Sequence, residues 1–298
     1  MKRILKNIKL PMLLVGILTL VSSCNDSSNS YEVVFPSNLS PTPSNVTSSE
    51  TSNNPISRIS IDYGESPLHD AKFQGYYNSI DTTKMGEELL SSLQALNKQK
   101  RTYTPGYGGL WNYYNKTDYD PNNPSQYIAF YRGTSASKGS MNKEHVWPNS
   151  HGGDLVEGDI HMTRPTLNSD NSSRGNSFYV EGKNHSSQGW DPYADGMTEY
   201  YRGISARIIF YCVVAAPQLQ LVDLDYHSTS NKNKDYMMGK LSDLLKWNLK
   251  YDIDDTELRR NDGAQGVQGN RNPFIDDRTL ACKIWGDTNS TTRSICGM

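Results

Sequence analysis

Residues 25–57, NDSSNSYEVVFPSNLSPTPSNVTSSETSNNPIS, are mostly Ser, Asn, Thr and Pro. A stretch of that composition cannot bury enough apolar surface to offset the entropy lost on ordering it. It reads as a flexible tether. Any packed core must therefore come from residues 58–298, which are enough for one well-cored domain. No internal repeat and no second linker of similar composition interrupts that span.

The stretch before the tether reads MKRILKNIKLPMLLVGILTLVSSC. Lys2, Arg3, Lys6 and Lys9 form a basic leader. The apolar run 10–21 has the length of a signal-peptide core and is too short to span a bilayer comfortably. Ser22 and Ser23 just before Cys24 resemble a bacterial lipobox. That resemblance implies a signal peptide over 1–23, cleavage before Cys24 and lipid on its thiol. The expected product is an exported lipoprotein, anchored to a membrane at the cell surface or in the periplasm. Plain secretion is the alternative. The expected organisation is signal peptide 1–23, lipidated Cys24 and tether 24–57, and a folded domain 58–298.

Charge restricts the partners. The chain carries 30 Lys and Arg against 32 Asp and Glu, and loss of the leader's four basic residues leaves 26 against 32. A polyanion binder usually shows a basic surface. Nucleic-acid contact must then come from a local patch or from a bound cation. Among the cysteines, Cys282 and Cys296 are the expected pair by position, because Cys212 falls on a buried helix. No CxxC occurs, so a cysteine zinc site is unsupported.

Periodicity gives a mixed α+β, helix-rich domain. Met85, Leu89, Leu90, Leu93 and Leu96 predict a helix over 82–97. SQYIAFYRG predicts a strand ending at Gly133. Ile204, Ile208, Ile209, Cys212, Val213 and Ala216 predict a helix stopped by Pro217, and Met237 to Leu249 another.

Between the strand and the second helix lies MNKEHVWPNSHGGDLVEGDIHMTRPTLNSDNSSRGNSFY, Met141 to Tyr179, too polar for core. His145 suits a general base, since an imidazole titrates near neutral pH. Glu144 would point to the opposite face on a strand unless the backbone turns, as Pro148 suggests. Pro165 suits a helix N-terminus. On such a helix Asn168, Asn171 and Arg174 share a face. Asn offers a carbonyl oxygen to a hard cation such as Mg2+, and Arg a planar fork to phosphate. Base, cation and fork together form a phosphodiester-cleaving set.

EHVWPNS, DIHMTRPT with NSSRGN, and QGVQGNRNPFID, in that order, resemble the endonuclease I family of bacterial extracellular and periplasmic nucleases. TYTPGYGGLWNYYNKTDYD, YYRGISARIIFYC and the stretch from LLKWNLKY onward extend the likeness over about 68–286. The resemblance implies a ββα-metal (His-Me finger) core. It implies His145 as the water-activating base and Glu144 with Asn171 as ligands of the cation. Mg2+ is the expected ion, with Mn2+ or Ca2+ as alternatives. Arg174 is expected at a phosphate or in a structural contact, and Arg164 is the candidate for a further phosphate-stabilising role. The implied substrate is DNA, with RNA as an alternative, cut with little sequence specificity. No protein partner is implied.

Several residues have plainer readings. His161 is expected to order its loop through a backbone hydrogen bond. Asp159 should be a structural acceptor, His151 an exposed loop residue, and Asn270 to Pro273 a structured turn. Two other functions stay open: a zinc hydrolase through His145, His151 and His161, and an inactive surface-binding lipoprotein.

Overall fold

The computed structural model describes residues 46–48, 59–61 and 63–298. The signal peptide, Cys24 and nearly all of the tether lie outside the described residues. Within the stretch read as tether, Val46–Ser48 pairs antiparallel with Ile59–Ile61.

The architecture is a mixture of helices and small sheets, as the periodicity predicts. Helix α1 (Gly86–Lys100) buries Leu89, Leu90, Leu93 and Leu96 along one face. Glu87 and Glu88 in its first turn and Lys98 and Lys100 in its last turn oppose its dipole. Strands β1 (Tyr119–Asp120), β2 (Asn123–Ile128) and β3 (Ser135–Ala136) form one antiparallel sheet. β2 stops at Ile128, short of the expected Gly133. There the chain turns, with Tyr131 and Gly133 at positive φ and Gly133 N–H donating to Ala129 O.

The polar segment folds as strand, strand, helix. β4 (Met141–His145) pairs antiparallel with β5 (Thr163–Leu167), and α2 (Asn168–Arg174) follows without a loop. Pro165 therefore lies inside β5, opposite Lys143, rather than at the helix start expected for it. Its carbonyl accepts from Phe130 N–H, so this strand face is used although proline has no donor.

Helix α3 (Tyr201–Ala215) is buried at every residue. α1 and α4 (Leu241–Lys250) pack against it. Burial of large side chains such as Leu244, Leu245 and Trp247 on α4 contributes roughly 1.5–3 kcal/mol each. Met237 and Met238, expected to begin α4, instead form a short strand parallel to Gln220–Leu221. Gly239 separates the two elements because the backbone is crowded there: an added Cβ would lie 2.6 Å from Leu224 O.

Helix α5 (Asp255–Gln268) has no apolar stripe and instead buries Glu257, Arg260, Asn261 and Gln268. α6 (Leu280–Trp285) and α7 (Ser290–Cys296) close the chain, joined by the expected Cys282–Cys296 disulfide with Cα atoms 5.5 Å apart. Cys212 remains a buried thiol on α3. Among the described residues, no helix is long and apolar enough to cross a membrane.

Candidate active site

Successive side chains of a strand point to opposite faces, and β4 uses both. Glu144 is buried, and its carboxylate accepts from Tyr131 OH at 2.9 Å. Arg174 Nε lies 3.6 Å from the same oxygen. Burial pushes the Glu144 carboxyl up to about 7, although Arg174 and Tyr131 pull the other way. His145 faces away and stacks on Tyr107, with centroids 4.8 Å apart. Its Nε2 stands 3.6 Å from a Glu157 oxygen, an electrostatic contact too long for a hydrogen bond. Burial holds the imidazole below its ordinary range, with Glu157 opposing. The ring is therefore neutral, as a base must be, at neutral pH.

The chain bends immediately after β4. Gly153 permits the bend, because a Cβ there would lie 1.8 Å from Trp147 O. The bend gathers Glu144, His145, Asn149, Ser150, Asn171 and Arg174 around a cleft of about 210 Å³. Asn231 reaches it from a distant loop. The two neighbours that a strand sends apart thus line one site, through the turn that Pro148 signals.

Asn171 sits midway along α2. Its Nδ2 donates to Asn142 Oδ1 at 2.8 Å, which leaves its carbonyl oxygen as the end that could hold a cation. The donor set of Glu144 carboxylate and Asn171 carbonyl suits a hard divalent cation. Four buried polar atoms of the lining have no hydrogen-bond partner: His145 Nε2, Asn149 Oδ1, Ser150 Oγ and Arg174 Nε. Proteins rarely leave such atoms unpaired, and four of the eleven found among the described residues belong to residues of this one cleft.

Two expected phosphate contacts are placed differently. Arg174 is buried, and its terminal nitrogens donate to the carbonyls of His145, Val146 and Gly175. It clamps the end of β4 and supplies charge beneath the cleft. Arg164 lies outside the cleft lining. Its side chain is 4 % exposed, bonded to Asp118 at 2.8 Å and set over the Phe130 ring. A guanidinium so enclosed has no open face for a substrate phosphate.

His151 is buried rather than exposed, with Nδ1 donating to Asp235 at 2.8 Å. His161 holds its loop as expected, through Nε2 and Asn270 O at 3.0 Å. Burial lowers its pKa to about 4. These separate engagements leave no zinc site from the three histidines. Among the described residues, no three His, Cys, Asp or Glu side chains meet in a group that could hold a metal. Asp159 is the expected acceptor, taking hydrogen bonds from Arg101, Tyr211, Gln268 and the His161 N–H. Asn270–Asn272, expected as a turn, form a buried connection instead, and Asn272 caps the short helix Pro273–Asp276.

Sequence reasoning passed over Tyr107, Asn142, Asn149, Ser150, Glu157 and Asn231. Asn142 was within reach, two residues before Glu144 and so on the same strand face. The others arrive through contacts across loops.

A two-stranded ribbon and helix that bring a neutral histidine, a carboxylate and an asparagine to one cleft define a ββα-type nuclease core. The endonuclease I model matches residues 85–279, and the chain belongs to that family. It is thus an endonuclease, acting on nucleic acid by hydrolysis of phosphodiester bonds. Among curated proteins, an extracellular ribonuclease of Bacillus amyloliquefaciens is 38 % identical over 237 residues, covering 72 % of this chain and 79 % of the relative. An extracellular ribonuclease of Bacillus subtilis (strain 168) is 35 % identical over 232 residues, covering 70 % and 78 %. No solved structure matches the chain.

Proposed function

We propose that this protein is an exported, divalent-cation-dependent nuclease of low sequence specificity, with Mg2+ as the cation and both RNA and DNA as substrates. The observation that carries the reading is the convergence of Glu144, His145 and Asn171 on one cleft. Glu144 and Asn171 would hold the cation. A bound cation supplies positive charge to the phosphate oxygens as they gain charge. His145 takes a proton from the attacking water, and the Glu157 carboxylate beside it steadies the imidazolium so formed. Arg174 keeps the His145 carbonyl fixed, so the ring approaches the cleft from a constant direction. The expectation of a local arginine patch is replaced by a dependence on the cation, since Arg164 and Arg174 are both buried. The names of the two Bacillus relatives support RNA as a substrate and an extracellular location.

The test is cleavage of plasmid DNA and of RNA with chelator and after Mg2+ is restored. Both substrates should survive in chelator and be cut once Mg2+ returns. Cleavage that resists chelator would contradict the reading. The anchor belongs to the same proposal: lipid on Cys24 holds the enzyme at a membrane, two chain-type signals being needed for stable attachment. Cys24→Ser should move the protein out of the membrane fraction, whereas wild type recovered as a soluble protein without lipid would mean plain secretion.

A further inference from the structure

The strand that carries His145 holds a basic residue on the same face. Side chains two apart on a strand point the same way, so Lys143 shares the side of β4 that His145 uses. The Tyr107 ring lies against both: its centroid is 4.8 Å from that of His145 and 3.5 Å from Lys143 Nζ. From there an aromatic surface continues. Tyr107, Trp111, Tyr113 and Tyr127 are half-buried and pack on one small core that contains Leu110 and Tyr114. Trp111 meets Tyr127 at 5.5 Å, and Lys138 Nζ stands 5.2 Å over the Trp111 ring. Tyr103 meets Tyr113 at 6.0 Å, with their hydroxyls bonded at 3.1 Å, and is 45 % exposed.

Packing explains why the rings gather but not why cations accompany them. Lysines elsewhere face carboxylates, as Lys84 does Glu88, Lys234 does Asp154 and Lys246 does Glu181. Among the described residues, Lys138 and Lys143 make no ion pair. Each is set over an aromatic ring, which attracts the cation without cancelling its charge. Burial holds the Lys143 ammonium below its ordinary range, with Glu157 opposing and Lys138 adding to the effect, so the two lysines feel one another. The chain has 30 basic and 32 acidic residues, and two neighbouring cations left without carboxylates on it complement a polyanion.

The rings decide which form of polyanion. In a duplex each base face is covered by its neighbours, and only edges and phosphates are offered. In a single strand the faces are open, and any base can stack on a tyrosine or tryptophan whatever its identity. Rings interleaved with cations suit the single strand.

We infer that the surface running from His145 through Tyr107 to Trp111 and Tyr103 is a track that seats single-stranded nucleic acid beside the cleft, with Lys138 on a backbone phosphate and Tyr103 stacked on an unpaired base. This inference rests on the nuclease reading above and adds the strand form that the enzyme takes. Tyr103 and Lys138 bind nucleotides next to the scissile one and do not touch the reacting phosphorus.

The experiment uses a labelled strand that cannot pair with itself and a hairpin duplex of the same composition. KM and kcat are measured on both in Mg2+, and Kd by fluorescence anisotropy in chelator, where nothing is cut. Wild type should bind the strand more tightly than the hairpin. Tyr103→Ala should raise KM and Kd for the strand about five- to hundredfold, the size of one base stack, and narrow the preference over the hairpin. Tyr103→Phe, which keeps the ring, should restore both. Lys138→Gln should flatten the slope of log affinity against log salt on the strand by about 0.7, the share of one phosphate. Equal or tighter binding of the hairpin by wild type overturns the track, and that result needs no variant to fold. So does an unchanged strand affinity in Tyr103→Ala, or equal losses on strand and hairpin, and an unchanged salt slope in Lys138→Gln removes its phosphate. If Mg2+ supports no cleavage, the nuclease reading fails instead, and binding in chelator still decides the track.

Discussion

Two polar clusters in this molecule are built from similar side chains and finished in opposite ways. Around Asp159, a buried carboxylate receives Arg101, Tyr211, Gln268 and a backbone N–H, all between 2.6 and 3.1 Å. Asn270 Nδ2 extends the cluster to Asn97 and Tyr211, both at 2.7 Å. In the cleft, Glu144 has one tyrosine hydroxyl at 2.9 Å and one arginine at 3.6 Å, and the surrounding atoms of His145, Asn149 and Ser150 stand unpaired. Both clusters pair a histidine with a nearby carboxylate. His161 bonds Asn270 O through Nε2 and packs against Tyr211, with only its Nδ1 unpaired, whereas His145 opens on the cleft. Satisfied polar groups rigidify a core, whereas a cluster left incomplete beside a cleft has room for a ligand. The contrast separates structure from function more sharply than residue type does.

Substitutions in the two clusters should therefore fail in different assays. The largest effect is expected in the cleft: His145→Ala should lower turnover by about 10²–10⁴, the contribution of a positioned base. Its thermal unfolding should stay near that of wild type. Near wild-type turnover would remove His145 from the base role. Asp159→Ala should do the reverse, costing roughly 3–5 kcal/mol of stability, because it leaves buried donors and Arg101 without their acceptor. Denaturant unfolding measures this, and the Mg2+ concentration giving half-maximal cleavage should not move in whatever protein remains folded. A stable Asp159→Ala with a raised Mg2+ requirement would erase the distinction between the clusters.

The same contrast explains what could be read from the sequence. Glu144, His145, Asn171 and Arg174 lie within one stretch; helical spacing puts Asn171 and Arg174 on one face, and the turn at Pro148 brings in Glu144 and His145, which strand alternation alone would send apart. The helices α1 and α3 were legible because their apolar residues recur at helical intervals. α5 was not read as a helix, since its buried face carries Arg260, Asn261 and Gln268, whose partners are remote in sequence. Arg164 looked available for phosphate because Asp118, 46 residues earlier, could not be foreseen beside it. His151 looked exposed between Ser150 and Gly152 because Asp235 is 84 residues away. Local pattern finds the reacting groups, while the fate of each buried charge is decided by long-range pairing.

The central claim is that the incomplete cluster around Glu144 is completed by a cation. Calorimetric titration of Mg2+ into His145→Ala, which keeps both proposed cation ligands, tests it most directly. One site per chain is predicted, weakened by Asn171→Ala and abolished by adding Glu144→Gln. Because the Glu144 carboxyl titrates at about 7 without the cation, Mg2+ must displace its proton below that pH. Apparent affinity should then fall by up to about tenfold per pH unit on acidification and level off at higher pH. Binding that ignores pH, or that survives Glu144→Gln unchanged, would place the cation elsewhere and contradict the account.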